Sequence, residues 1–138
     1  MNILFFLTPK SKVAYLYDTE TVRQALEKME HHRYSAIPLI SKQTGEYIGT
    51  VTEGDLLWCI KNKYDLSVKN AEEIPITMVS RNRDNLPVSA EADMEDLLNK
   101  VMNQNFVPVI DGMNHFIGII TRRDIILYLM SRVRTDKT

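Results

Sequence analysis

Gly118-Ile119-Ile120-Thr121-Arg122-Arg123-Asp124 runs directly into Ile125-Ile126-Leu127-Tyr128-Leu129. A glycine, a β-branched pair, then threonine and aspartate three apart ahead of an apolar run describe a strand that turns tightly into a helix start. The same order stands sixty-nine residues earlier, in Gly49-Thr50-Val51-Thr52-Glu53-Gly54-Asp55 followed by Leu56-Leu57-Trp58-Cys59-Ile60. The chain writes one structural unit twice.

Moving outward from the first copy, Tyr34-Ser35-Ala36-Ile37-Pro38-Leu39-Ile40 reads as a buried strand, with Pro38 expected at an edge or a strand end because it lacks an N–H. Gln43-Thr44-Gly45-Glu46 supplies a turn, and Tyr47 to Val51 returns as the next strand. Upstream, Val22, Ala25, Leu26 and Met29 fall at i, i+3, i+4 and i+7, which predicts a helix ending near His31 or His32. Asp18-Thr19-Glu20-Thr21 holds its capping residues, after a strand over Val13 to Tyr17. The second half answers position by position. Leu86 and Val88 stand for Ala14 and Leu16, and Met94, Leu97, Leu98 and Val101 repeat the helix stripe. Val107-Pro108-Val109 matches Ile37-Pro38-Leu39, and the register drifts by three residues at the helix-to-strand joint and the hairpin, where length changes cost least.

Each half is thus predicted as β-α-β-β-α, an α/β (α+β) chain of two pseudo-twofold-related repeats packed as one module. The expected boundaries are 1–66 for the first repeat with its lead-in, 67–78 for a connector, 79–131 for the second repeat and 132–138 for a frayed tail. Lys61 to Met78 mixes charges with sparse apolar residues and contains Pro75, so a single helical turn over Val68 to Glu73 is expected there.

Composition narrows the function. At 138 residues with a net charge of −1 and scattered basic residues, the chain lacks the basic stripe of a nucleic-acid binder held by phosphate neutralisation. The single cysteine, Cys59, cannot make an internal disulfide, which favours a reducing compartment. Ile3 to Leu7 is apolar but has no cationic leader and is broken by Thr8-Pro9-Lys10, and no run approaches the roughly 20 apolar residues that span a bilayer. A cytoplasmic protein with no membrane partner is expected. His31 and His32 are neighbours pointing about 100° apart on a helix, a poor metal pair. No nucleophile with a partnered base and no phosphate-cradling glycine loop is evident, so neither catalysis nor a required cofactor or metal is expected.

The ordered set in each half, from early strand and apolar helix through the Ser35-Ala36-Ile37-Pro38 or Phe106-Val107-Pro108 strand to the Gly-x-x-Thr-x-x-Asp helix start, resembles a pair of cystathionine β-synthase (CBS) domains, or Bateman module. The resemblance spans about Leu7 to Leu129. It implies a stand-alone regulatory module that binds an adenosine-containing ligand in clefts between its repeats, forms a homodimer and signals to an effector protein in trans. Carried over by position, it implies one cleft with Thr121 and Asp124 on the ribose, Ile119 against the base, and Ala14, Tyr34, Ser35 and Ala36 completing it. The other would use Thr52 and Asp55 with Leu86, Asn105 and Phe106.

The chemistry suits those positions. An ionised aspartate is a two-oxygen acceptor matched to a ribose diol, and a helix N-terminus favours a phosphate. Arg122 and Arg123 add positive charge in the second half where the first offers Glu53-Gly54, and a carboxylate beside a phosphate repels it. Phe106 also replaces the small Ala36, in a strand read as two residues shorter. Anionic nucleotide is therefore expected at Asp124, with the Asp55 cleft weak or empty. As a bare signature, Thr-x-x-Asp is also a variant of the helix capping box.

Overall fold

The structure, a computed structural model, describes residues 2–63 and 72–136. It divides into two compact units: Ala14–Asp84, and Met1–Val13 together with Asn85–Thr138. In the first unit β2 (Leu16–Tyr17), α1 (Val22–His32), β3 (Ala36–Ile40), β4 (Tyr47–Thr52) and α2 (Glu53–Lys63) follow in order, after β1 (Thr8–Pro9), which belongs to the second unit. The second unit continues with β5 (Val88–Ser89), α3 (Met94–Val101), β6 (Phe106–Ile110), β7 (Phe116–Thr121) and α4 (Arg122–Asp136). The expected β-α-β-β-α order is present in each repeat.

Helix α1 begins in a reciprocal cap: Gln24 N–H donates to Thr21 Oγ1 at 3.3 Å, and Thr21 N–H donates to Gln24 Oε1 at 2.9 Å. It ends where Arg33 takes a left-handed conformation, φ 58°. Its buried face, Val22, Ala25 and Met29, packs with Leu16, Ile37, Leu39, Val51 and Leu56 in the core of the first unit. Residues 64–71, which include 67–71 of the expected connector and most of the predicted turn over Val68 to Glu73, lie outside the described residues. The rest is core. Ile74 and Ile76 are 2% and 1% exposed, Val22 N–H donates to Ile74 O, and Ile76 N–H donates to Glu20 O, both at 2.9 Å. Burying two isoleucines is worth several kcal/mol, which explains why a segment with little apolar periodicity stays attached to α1.

The sheet of the first unit runs β2-β3-β4 and that of the second β1-β7-β6-β5. Pro38, expected at an edge or a strand end, therefore lies like Pro108 in a strand with neighbours on both sides. Alternation along the strand accounts for this. Asp18 N–H donates to Ile40 O and Ala90 N–H to Ile110 O, so that side of β3 and β6 faces the parallel partner at Ile40 and Ile110. Two residues earlier the same side carries Pro38 or Pro108, which has no N–H to give. The parallel strands β2 and β5 accordingly start only opposite Leu39 and Val109 and are two residues long, so Val13 to Tyr15 is not strand. Strands β3 and β6 each have five residues, which removes the expected difference in length.

The lead-in packs against the second repeat rather than the first. Ile3 is fully buried and Phe6 7% exposed in the core of the second unit, with Val88, Leu97, Val107 and Ile120. Thr8 and Pro9 pair antiparallel with Ile119 and Gly118. Gly118, at φ 154°, allows this approach: a Cβ there would overlap the Thr8 carbonyl. Helix α4 runs on to Asp136, so residues 132–136 of the expected frayed tail are helical.

Candidate functional site

Both Thr-x-x-Asp strings sit where an outer hairpin strand becomes a helix, β4 to α2 and β7 to α4. At the first, Asp55 N–H donates to Thr52 Oγ1 at 3.1 Å and Thr52 N–H donates to Asp55 Oδ2 at 3.0 Å, a closed capping box. The other carboxylate oxygen, Oδ1, accepts the Asn82 N–H at 3.0 Å. Asp55 is 5% exposed. Each of its oxygens is committed to a backbone donor, so this acid holds the segment after the connector to the start of α2.

The second start is built on the same frame and left open. Asp124 N–H donates to Thr121 Oγ1 at 3.1 Å. Asp124 is half-buried, and among the described residues its carboxylate accepts no hydrogen bond. Two acceptor oxygens and a threonine hydroxyl thus lie together at the N-terminus of α4. The arginines beside them differ. Arg122 turns back on its own unit, its Nε donating to Val101 O at 2.7 Å and its Nη1 to Asn105 Oδ1 at 3.1 Å, while its backbone N–H donates to Asn105 O at 2.8 Å. This fastens the end of α3 to the start of α4. Arg123 is exposed and makes no ion pair among the described residues.

The remaining named residues divide between the units. In the first, Ala36 pairs with Thr52, Ser35 is exposed and its carbonyl accepts the Glu53 N–H at 3.0 Å, and Ala14 and Tyr34 are half-buried against the core. In the second, Phe106 pairs with Thr121 and is 8% exposed, as is Ile119, while Asn105 and Leu86 are exposed. Gln104, which sequence reading passed over, holds Leu86 on both sides: its Oε1 accepts the Leu86 N–H at 2.8 Å and its Nε2 donates to Leu86 O at 3.1 Å. Asn85 Nδ2 donates to Phe106 O at 3.0 Å. An amide side chain two residues before a strand was the available signal.

In the first unit the outer edge of β4 carries a further polar cluster. Asp84 Oδ1 accepts the Thr50 N–H at 2.9 Å and Arg81 Nε at 2.8 Å, and Tyr47 Oη lies 2.6 Å from Thr50 Oγ1. Burial alone would raise the Asp84 carboxyl, but the Arg81 guanidinium and the Thr50 N–H together hold it below its usual value. Burial pushes the Tyr47 phenol well up.

The model of the CBS domain family matches residues 6–62 and 72–131, so the chain belongs to the CBS domain family, with two copies of the domain. Among solved structures it resembles CbpB in complex with c-di-AMP, at 26% identity and TM-score 0.85, over 100% of this chain and 91% of that one. CbpB from Streptococcus agalactiae is similar at 27% identity and TM-score 0.80, over 99% of this chain and 85% of that one. The uncharacterized protein MJ1225 of Methanocaldococcus jannaschii is 21% identical over 92% of this chain, which spans 49% of that protein's length. Among the described residues, no helix is long and apolar enough to cross a membrane.

Proposed function

We propose that this protein is a regulatory CBS pair that binds an adenine nucleotide, AMP, ADP, ATP or a related adenosyl ligand, and signals to a partner protein in trans. The observation that carries this reading is the open Asp124 carboxylate beside Thr121 at the start of α4, set against the fully committed Asp55. An ionised carboxylate accepts both hydroxyls of a ribose diol, and Arg123 with the helix N-terminus favours the phosphate. Glu53 in the first turn of α2 works against an anion there. One strong site per chain follows. The protein is read as non-catalytic, cytoplasmic and a homodimer, without a required cofactor.

The likeness to CbpB, which was solved with c-di-AMP, supports a second reading as a cyclic dinucleotide receptor. Such a ligand has its 3′-oxygens esterified and offers no vicinal diol. A thermal-shift panel of AMP, ADP, ATP, S-adenosylmethionine and c-di-AMP separates the readings, because a ligand at about 100 times its Kd adds about 2.7 kcal/mol. A shift with mononucleotides supports the first, and a shift with c-di-AMP alone supports the second. No shift at all leaves a structural dimerisation module.

A further inference from the structure

Gln104 spends its whole carboxamide on backbone groups of the second unit. Its Oε1 accepts the Leu86 N–H at 2.8 Å, and its Nε2 donates to Leu86 O at 3.1 Å and to Phe106 O at 3.2 Å. Because one planar amide reaches both, the Leu86 N–H and C=O face the same way, a donor beside an acceptor on an exposed residue. With Phe106 O as a second acceptor, this edge asks for a partner of one kind: an acceptor next to an amino group carrying two hydrogens. A carboxamide supplies that order, and so does the Watson–Crick edge of adenine, where N1 accepts and the N6 amino group can donate twice. Hypoxanthine has a carbonyl beside a ring N–H with a single hydrogen, which cannot give one hydrogen to each of the two carbonyls.

The first repeat shows the same edge without its cover. There Ala14 stands for Leu86, and Tyr34, which has no amide, stands for Gln104. Among the described residues, the Ala14 N–H and C=O take part in no hydrogen bond. We propose that Gln104 is an intramolecular stand-in for an adenine edge, an autoinhibitory plug that closes on the second unit a base-reading position whose counterpart at Ala14 is open. The inference deepens the adenine-nucleotide reading above, on which its choice of base rests. It adds to the committed Asp55 a second reason for one strong site per chain.

Amide-resolved NMR on wild type and Gln104→Ala, each titrated with adenosine and separately with inosine, tests it. Loss of the acceptor should speed hydrogen exchange at the Leu86 N–H roughly fivefold, the net worth of one hydrogen bond. Millimolar adenosine should then shift the Leu86 resonance saturably in Gln104→Ala and leave it in place in wild type, while inosine moves it in neither. Gln104→Ser, also too short to span to Leu86, repeats the comparison in a second variant. A Leu86 resonance that adenosine leaves unmoved in both variants, or that inosine shifts equally, would overturn the plug. The Asp124 amide reports separately: no response to adenosine there in wild type would overturn the ribose reading, while a response at Leu86 in the variants would still uphold the plug.

Discussion

At Asp55 a buried carboxylate takes one backbone N–H on each oxygen, and at Asp124 the matching carboxylate takes none among the described residues. A buried N–H left without its acceptor costs about 1–3 kcal/mol, and a lost cap about 1 kcal/mol. Asp55→Ala is therefore expected to lower stability by about 2 kcal/mol or more in urea denaturation. Asp124→Ala should change it by less than 1 kcal/mol, since it breaks no such bond. Asp84 adds a pH dependence. Its carboxyl is held below the ordinary 3.8, so the stability it contributes is full well above that value and lost as pH falls through the lowered one. Asp84→Asn should shrink the loss of the urea midpoint between pH 5 and pH 2, to an extent read by paired titrations. The doubled threonine and aspartate were legible from sequence, and so was the contrast of Glu53 with Arg122-Arg123. The closing donor at Asp55 was not, because it is a backbone N–H twenty-seven residues away, which no residue type announces. Nor was the direction of Arg122: a cation at a phosphate position reads as facing ligand, yet the terminal carbonyl at Val101 claims it.

At the level of strands and helices, the periodicity located α1, α3 and both hairpins closely, because a single apolar face fixes each of them. Strand extents were harder. Pro38 read as an edge or strand-end residue, whereas it and Pro108 each sit in a strand bordered on both sides and shorten the parallel neighbour instead. Sheet order depends on chain crossings that a proline alone does not reveal. The two outer hairpin edges are closed differently: β7 by the strand β1, and β4 by the Asp84 carboxylate. Both closures need a glycine. A Cβ at Gly118 would meet the Thr8 carbonyl, and one at Gly49 would meet Asp84 and Arg81. Gly118→Ala should destabilise by roughly 1–3 kcal/mol through strain at positive φ, with amide exchange at Thr8 rising in parallel. Unchanged exchange at Thr8 would show that β1 does not depend on this glycine.

Across the whole chain, repetition made the architecture readable, since two weak motifs in the same order constrain each other. Ownership of the joining segments was not readable. Ile3 and Phe6 follow no period that assigns them to either repeat, and they complete the second unit from the opposite end of the chain. Ile3→Ala should therefore cost about 2–4 kcal/mol in stability, as for a core truncation and unlike an appended leader. Ile74 and Ile76 similarly turn an apparent connector into core. Binding is where the duplicated units are expected to differ most. The most direct measurement is calorimetric titration of AMP into wild type, Asp124→Ala and Asp55→Ala. The account predicts one strong site per chain in wild type and Asp55→Ala and its loss in Asp124→Ala. Two equal sites, or undiminished binding by Asp124→Ala, would contradict it.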